Sequence, residues 1–456
     1  MADGGASRPV ATAVQARFDD ALRTCLEAAG THHPAKDLFT ALSGGPDSTA
    51  LACLAQAYAT RHGLRHTALI VDHRIRDDST AEAHLVAANI RRSGVVAEIL
   101  TVGDEAPSAG IQAWARERRY ELLLARVRRV GGCLLLGHHA GDQAETVMMR
   151  LSRGSGLAGL AAMRAVSQRE GVMILRPLLA MPAQSLIRHC RACQAGYVRD
   201  PSNMDMRFER VRVRKALAAL DSADSAMADS AMADSAMSDN LRRLAHAAGR
   251  IDDTLMRLLT ENGLVPTVHP SGHMVLPAHG PELPLPVAAR LLAFVIGQVA
   301  RPKVPPSMRA LRHLARRLCD GKAATLGGAR FSRQGGAWLV TAEIGRRPPR
   351  LRVRSGERVI FAGMWQIASP VDAMIRHLGE AGSGGVKGWA ERPGWCALPS
   401  LVRRSVPVLE TLDGALIYPH LQSIGMCDGS ADAATARFLP MSFVLPNSFA
   451  KTAYHK

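Results

Sequence analysis

LFTALSGGPDSTALACL, residues 38–54, begins as a short apolar run, breaks at two glycines and a proline, and resumes with apolar residues at helical spacing. That order reads as a buried strand, a tight turn and a helix starting at Pro46, whose fixed φ suits a first helical position. Gly44 and Gly45 let backbone N–H groups come close to a ligand, and the helix N-terminus adds partial positive charge. The turn is shaped for an anion, phosphate above all. A Walker A loop would end in Gly-Lys-Ser/Thr, its lysine reaching the terminal phosphates. Here Asp47 stands in the turn and no lysine does, which suggests a magnesium-bridged pyrophosphate and a different cleavage point.

Working outward, residues 37–151 alternate β-rich runs with amphipathic stretches: LFTAL then 46–60, HTALIVD then 78–93, VVAEILTV then 110–130, CLLLG then 141–152. Repeated βα units imply an α/β fold, a parallel sheet with helices on both faces, whose ligands sit beyond the carboxyl ends of the strands. SGGPDS (43–48), VDHRIR (71–76) and GHHAGDQAET (137–146) each end a strand, and are expected to converge on one crevice.

The organisation expected is a helical N-terminal extension over 1–36, a nucleotide-binding catalytic domain over 37–220, and a linker or insert over 221–239. ADSAM occurs three times over 223–237; its period of five matches neither helix nor strand. Residues 240–262, 286–300 and 307–320 read as helices and 329–343 as a hairpin, making 240–345 a helical domain. From 346 to 456 the texture is β-rich with many Gly and Pro.

The chain has 456 residues, 47% of them apolar, so two or three domains are the expectation. Lys+Arg is 57 against 40 acidic residues, a formal +17, as for a chain that meets a polyanion; only seven of the 57 are lysines. The start lacks a basic segment followed by an apolar one, and LLAFVIGQVA (291–300) is half a membrane span, so a soluble cytoplasmic protein is expected. Eight scattered cysteines do not form a disulfide framework.

SGGPDS resembles the SGGxDS loop of the N-type ATP pyrophosphatases, which cleave ATP between the α and β phosphates and adenylate a substrate. With VDHRIR, ARERRY (115–120), GHHAGDQAETVMMRLSRGSGLAGLAAM (137–163), RPLL (176–179) and DPSN (200–203), the chain resembles the tRNA(Ile)-lysidine synthases in order and spacing, most strongly over 37–217. The resemblance implies an adenine nucleotide alpha hydrolase-like fold, ATP and magnesium. It also implies two partner substrates: tRNA(Ile) with a CAU anticodon, and free L-lysine, which is joined to carbon 2 of the wobble cytidine.

Site residues follow. Ser43, Gly44, Gly45, Pro46, Asp47 and Ser48 are expected to bind ATP, with Asp47 also organising magnesium, and Asp72 and His73 to face the adenosine. Asp142 and Glu145, three apart at a helix start, share a face, and by resemblance hold the lysine. Gly141 stands where the family shows a further aspartate. His138 and His139 point in different directions, which argues against a joint metal site; one is expected to line the nucleotide or base pocket. Arg116 and Arg119 on a helix could reach the base or the phosphates. Arg207, Arg210, Arg212 and Arg214 form a tRNA-facing row: 210, 212 and 214 would point one way on a strand but not on a helix. The family motif is near RNxIR, with Val211 in place of asparagine, and leaves Arg214 with Asp47 and Arg116 as the catalytic set. An iron–sulfur thiolase would make use of Cys190 and Cys193, but one CxxC is a weak signal and leaves Asp142 and Glu145 without purpose.

Overall fold

The computed structural model describes residues 7–30, 37–198, 205–227, 236–302, 304–345, 348–379, 398–417 and 435–438; DPSN and positions 228–235 of the ADSAM insert lie outside them. The chain forms two compact units. Residues up to Arg153 with Leu157–Arg250 make the first, and Gly154–Gly156 with the described residues from Ile251 onward make the second.

The first unit is built on a six-stranded sheet. In chain order its strands are β1 Asp37–Ala41, β2 Arg65–Asp72, β3 Val96–Thr101, β4 Cys133–Leu135, β5 Val166–Arg169 and β6 Val172–Leu175. In space they run β3-β2-β1-β4-β6-β5, all parallel except β5, which pairs antiparallel with β6 at the edge. Alternate residues serve opposite faces, as the pleat requires. Phe39, Leu69 and Leu134 pack under helix α4, Ile111–Val130, through Leu123, Leu124 and Val127. Leu38, Cys133 and Leu135 turn the other way, onto α2 (Pro46–His62) and α7 (Ala183–Ala192). The N-terminal helix α1, Ser7–Ala28, joins that second layer with Val14, Phe18, Leu22 and Cys25, spaced as one helical stripe. Helix α3, Ser79–Arg92, covers β2 and β3.

Strand order reverses between β1 and β4, because the chain leaves β1 toward β2 and β3 and then returns to the other side. The loops after β1 and β4 therefore diverge and leave a crevice at their carboxyl ends, where ligands of such sheets bind. Helix α5, Ala140–Ser152, starts there and is followed by the single turn α6, Leu157–Leu160. Helix α8, Glu209–Met227, packs on it, with Val213 and Leu217 against Ala144 and Val147.

The second unit carries an antiparallel sheet of Met274–Pro277, Ala337–Ala342, Ala329–Gln334 and Ala324–Leu326, in that spatial order. It packs on α10, Leu285–Val299, and α11, Met308–Cys319, around Trp338 and Phe331. The stretch 240–345 is thus helices laid on a sheet: the strand Met274–Pro277 was not expected and pairs with Ala337–Val340. Further on, Val353, Phe361, Trp365, Ile367 and Ile375 form the core of two small β-sheets. Among the described residues no helix is long and apolar enough to cross a membrane.

One buried group carries a testable cost. His66 on β2 bonds Thr40 Oγ1 and Gln56 Oε1, each at 3.0 Å, and burial lowers its pKa from 6.5 to about 4. A depressed histidine contributes stability that is complete above the unfolded pKa and is lost as pH falls toward the folded one. Between pH 6.5 and about 4, urea-unfolding stability should fall, with His66 accounting for up to roughly 3 kcal/mol. His66→Gln should flatten that slope by about one proton; a slope equal to wild type would show that His66 is not the group responsible.

Candidate nucleotide and amine site

The loop after β1 is closed by its own side chains. Ser48 Oγ accepts from Ser43 N at 3.2 Å and from Ser43 Oγ at 3.1 Å, and donates to Gly45 O at 3.0 Å. Gly44 has φ +84°, and a Cβ there would lie 2.6 Å from Val86 Cγ2 of α3, so glycine is required twice over. Pro46 opens α2, leaving the first N–H groups of the helix and the loop facing the crevice. From below, Cys190 Sγ donates to Pro46 O at 3.3 Å. On the neighbouring loop a Cβ at Gly137 would sit 3.3 Å from the Asp47 carbonyl and Ser48 Cα, so the two loops touch.

Asp47 therefore faces the start of α5. His139 caps that helix: its Nδ1 accepts from Gly141 N at 3.0 Å, while its own N–H donates to Asp142 Oδ2 at 2.9 Å. With Nδ1 accepting, the neutral ring carries its proton on Nε2. That nitrogen lies 3.7 Å from both Asp47 Oδ2 and Asp142 Oδ2. Burial holds the Asp47 carboxyl above its ordinary pKa, against the pull of His139; Asp142 adds to the rise and Arg214 opposes it.

Asp142 and Glu145 share a face and meet α8. Arg210 Nη2 donates to Asp142 Oδ1 at 2.6 Å, Arg210 Nε to Glu145 Oε2 at 2.5 Å, and Arg214 Nε to Glu145 Oε1 at 2.6 Å. The glutamate holds the Arg214 guanidinium above its usual pKa. Because residues 210–214 are helical, Arg210 and Arg214 stand one turn apart on the same stripe. Arg212 points elsewhere and donates to Met206 O and Arg207 O, while Arg207 pairs with Asp205 at the surface.

A second group of cations lines the crevice. Tyr120 of α4 lies between Arg116 and Arg169, with guanidinium carbons 5.3 and 4.6 Å from its ring centre. Arg119 Nε reaches His73 Nε2 at 3.4 Å, and burial, with Arg119 nearby, lowers His73 to about 4. Arg119 as a whole is exposed, yet burial of its guanidinium, with Arg116 close by, lowers its pKa. His138 is lowered to about 4 by burial and by Arg176, so it is neutral at pH 7. His73 Nδ1, His138 Nδ1 and Arg176 Nε are buried without a hydrogen-bond partner. A bound ligand or water would complete them.

Asp47, His139, Asp142, Glu145, Arg210 and Arg214 are thus one cluster, with His73, Arg116, Arg119, His138 and Arg176 beside it. Asp72, at the end of β2, has its carboxylate engaged by its own turn: its oxygens accept from Arg74 N at 3.0 Å and Thr80 Oγ1 at 2.7 Å. Arg176 was passed over in the sequence because RPLL reads as a plain strand exit; its buried charge is visible only once folded. Among the described residues no group of three or more His, Cys, Asp or Glu is arranged to hold a metal. Cys190 is spent on Pro46 O, and Cys193 lies 3.5 Å from His189 Nε2.

Residues 12–220 match the PP-loop domain family. Fold and loop together thus define a PP-loop ATP-using protein. The chain is 32% identical over 361 residues to the tRNA(Ile)-lysidine synthase of Ruegeria pomeroyi, covering 78% of this chain and 83% of that one. It is 35% identical over 346 residues to that of Methylobacterium sp. strain 4-46, covering 74% and 96%. The synthase of Novosphingobium aromaticivorans is 37% identical over 313 residues, covering 67% and 88%. The chain belongs to the tRNA(Ile)-lysidine synthase family.

Proposed function

We propose that this enzyme joins free L-lysine to carbon 2 of the wobble cytidine in CAU-anticodon tRNA(Ile), using ATP through an adenylated tRNA and releasing AMP and pyrophosphate. The observation that carries the reading is that His139 Nε2 lies 3.7 Å from both Asp47 of the phosphate-shaped loop and Asp142 of a buried carboxylate pair suited to an ammonium ion.

In the first step the loop N–H groups and the α2 N-terminus hold the phosphates and offset the charge that grows as pyrophosphate departs. Asp47 is a hard-oxygen ligand at the mouth of that loop. Magnesium fits there when shared with substrate phosphates, the usual mode for this ion. When bound, it would neutralise charge on the departing pyrophosphate. Arg116, with Arg176 and His138 beside it, is placed to receive the cytosine or the α-phosphate.

In the second step Asp142 and Glu145 orient the lysine ammonium. The amine must lose a proton from a group of pKa about 10.4 before it attacks. His139 is excluded as acceptor in this arrangement, because Nε2 already carries hydrogen and Nδ1 is spent on Gly141 N. The proton passes to Asp142, Glu145 or water.

For the tRNA body, the domains over 240–345 and 346–456 provide the remaining basic surface. Arg309, Arg312, Arg316 and Arg317 on α11 are exposed, and among the described residues none is ion-paired with a carboxylate. Arg317 itself, with His313 and Arg330, lines an open groove of about 500 Å³. Among the described residues its lining carries no carboxylate, which suits RNA phosphates better than ATP chemistry. Such a reaction belongs in the cytoplasm.

The test is direct. Purified protein incubated with ATP, labelled lysine and mixed tRNA should yield a lysine-adducted cytidine by mass spectrometry after nuclease digestion. AMP release with no adduct on any tRNA would remove the ligase reading and leave only the ATP step.

A further inference from the structure

The carboxylates assigned to lysine are already occupied. Glu145 keeps 4% and Asp142 12% of its side-chain surface, whereas Arg210 and Arg214, which hold them, keep 40% and 49%. A buried carboxylate cannot stand without a counter-cation. The arginines are the half-exposed members of the cluster, and Arg214 also feels Asp47 at the phosphate loop.

Helix α8 is itself fixed, with Val213 and Leu217 packed between α5 and Leu241 and Ala245 of helix α9, Ala236–Glu261. Exchange therefore concerns side chains and not the helix. The geometry points to Arg210 and Arg214 as placeholders: in the free protein they fill the cation positions on Asp142 and Glu145, and they yield them to lysine when nucleotide phosphates at the adjacent loop attract the guanidinium groups. The inference rests on the reading of Asp142 and Glu145 as the lysine site.

Two consequences follow. Lysine binds weakly before nucleotide and more tightly after it, so the order of substrates is built into the ion pairs. Neutral analogues of lysine are also rejected, since nothing uncharged can replace a guanidinium on a buried carboxylate.

The experiment is equilibrium dialysis of labelled lysine against the full chain, with and without α,β-methylene-ATP and magnesium. Wild type is compared with Arg210→Gln, Arg214→Gln, Arg212→Gln and Glu145→Gln, and urea melts confirm that each variant is folded. Without nucleotide, Arg210→Gln and Arg214→Gln should each tighten lysine binding roughly tenfold, the scale of one partly exposed ion pair. Arg212→Gln, whose side chain points away, should not change it. The nucleotide analogue should tighten wild type and have less effect on the two gain-of-binding variants. Unchanged or weaker binding in both, while Glu145→Gln still weakens it about 10²-fold, overturns the placeholder role but leaves the lysine site standing. Lysine binding that Glu145→Gln does not affect, or no lysine binding by any form with the analogue present, overturns the lysine site and the placeholder role together.

Discussion

Asp47→Ala should abolish ATP cleavage to AMP and pyrophosphate, lowering its rate by about 10³-fold or more, the scale on which losing one preorganised group at a developing charge is felt. The residue lies at the first turn of α2, where the loop N–H groups already supply positive potential, and its carboxylate is the only acidic group within SGGPDS. Asp47→Asn should be nearly as inactive, because an amide keeps the shape but not the charge. Folding should be little affected, since among the described residues the only ion pair Asp47 makes is the 3.7 Å contact with His139. Burial raises the Asp47 pKa, so the acid limb of the pyrophosphate-release rate should begin above the ordinary carboxylate range and disappear in the residual activity of Asp47→Asn. Pyrophosphate release measured with labelled ATP decides it. A variant that still forms AMP at the wild-type rate removes Asp47 from the chemistry.

Glu145→Gln should separate the two steps. AMP formation should stay within about threefold of wild type, while the lysine concentration giving half-maximal ligation rises by about 10²-fold, the scale of a hydrogen-bonded charge pair that loses one member. Glu145 is the stronger test because it is nearly enclosed and meets both arginines, whereas Asp142 is shared with the α5 cap and its loss would also loosen the helix start. If AMP formation falls in parallel with ligation, Glu145 acts by holding Arg210 and Arg214 in place for the first step and is not the amine's partner. Steady-state rates of AMP and of lysine-adducted tRNA, measured in the same mixtures, distinguish the outcomes.

Much of the α/β unit was legible because its cause is local. Leu38 and Phe39 fall on opposite sheet faces by the period of the pleat, and α2 begins at Pro46 because proline costs nothing at a first helical position. The arginine row shows where local cause ends. Arg-Val-Arg-Val-Arg over 210–214 alternates as a strand does, yet the segment is helical: the good helix formers of KALAAL follow it, and Val213 with Leu217 makes a stripe that α5 can bury. The helix divides the row, sending Arg210 and Arg214 to the carboxylates and Arg212 outward. The bonds Asp72 makes to Arg74 and Thr80 were likewise illegible, because they depend on how the turn after its strand folds back.

By itself the sequence determined the phosphate loop, the strand ends that meet at the crevice and the family to which they belong, since glycine, proline and residue spacing act over a few positions. Only the tertiary structure decided which charges meet: Arg210 lies 65 residues from Glu145 along the chain, and no local preference encodes that contact. It exists because α8 buries its apolar stripe on α5, and a buried carboxylate takes whichever cation that packing brings within reach.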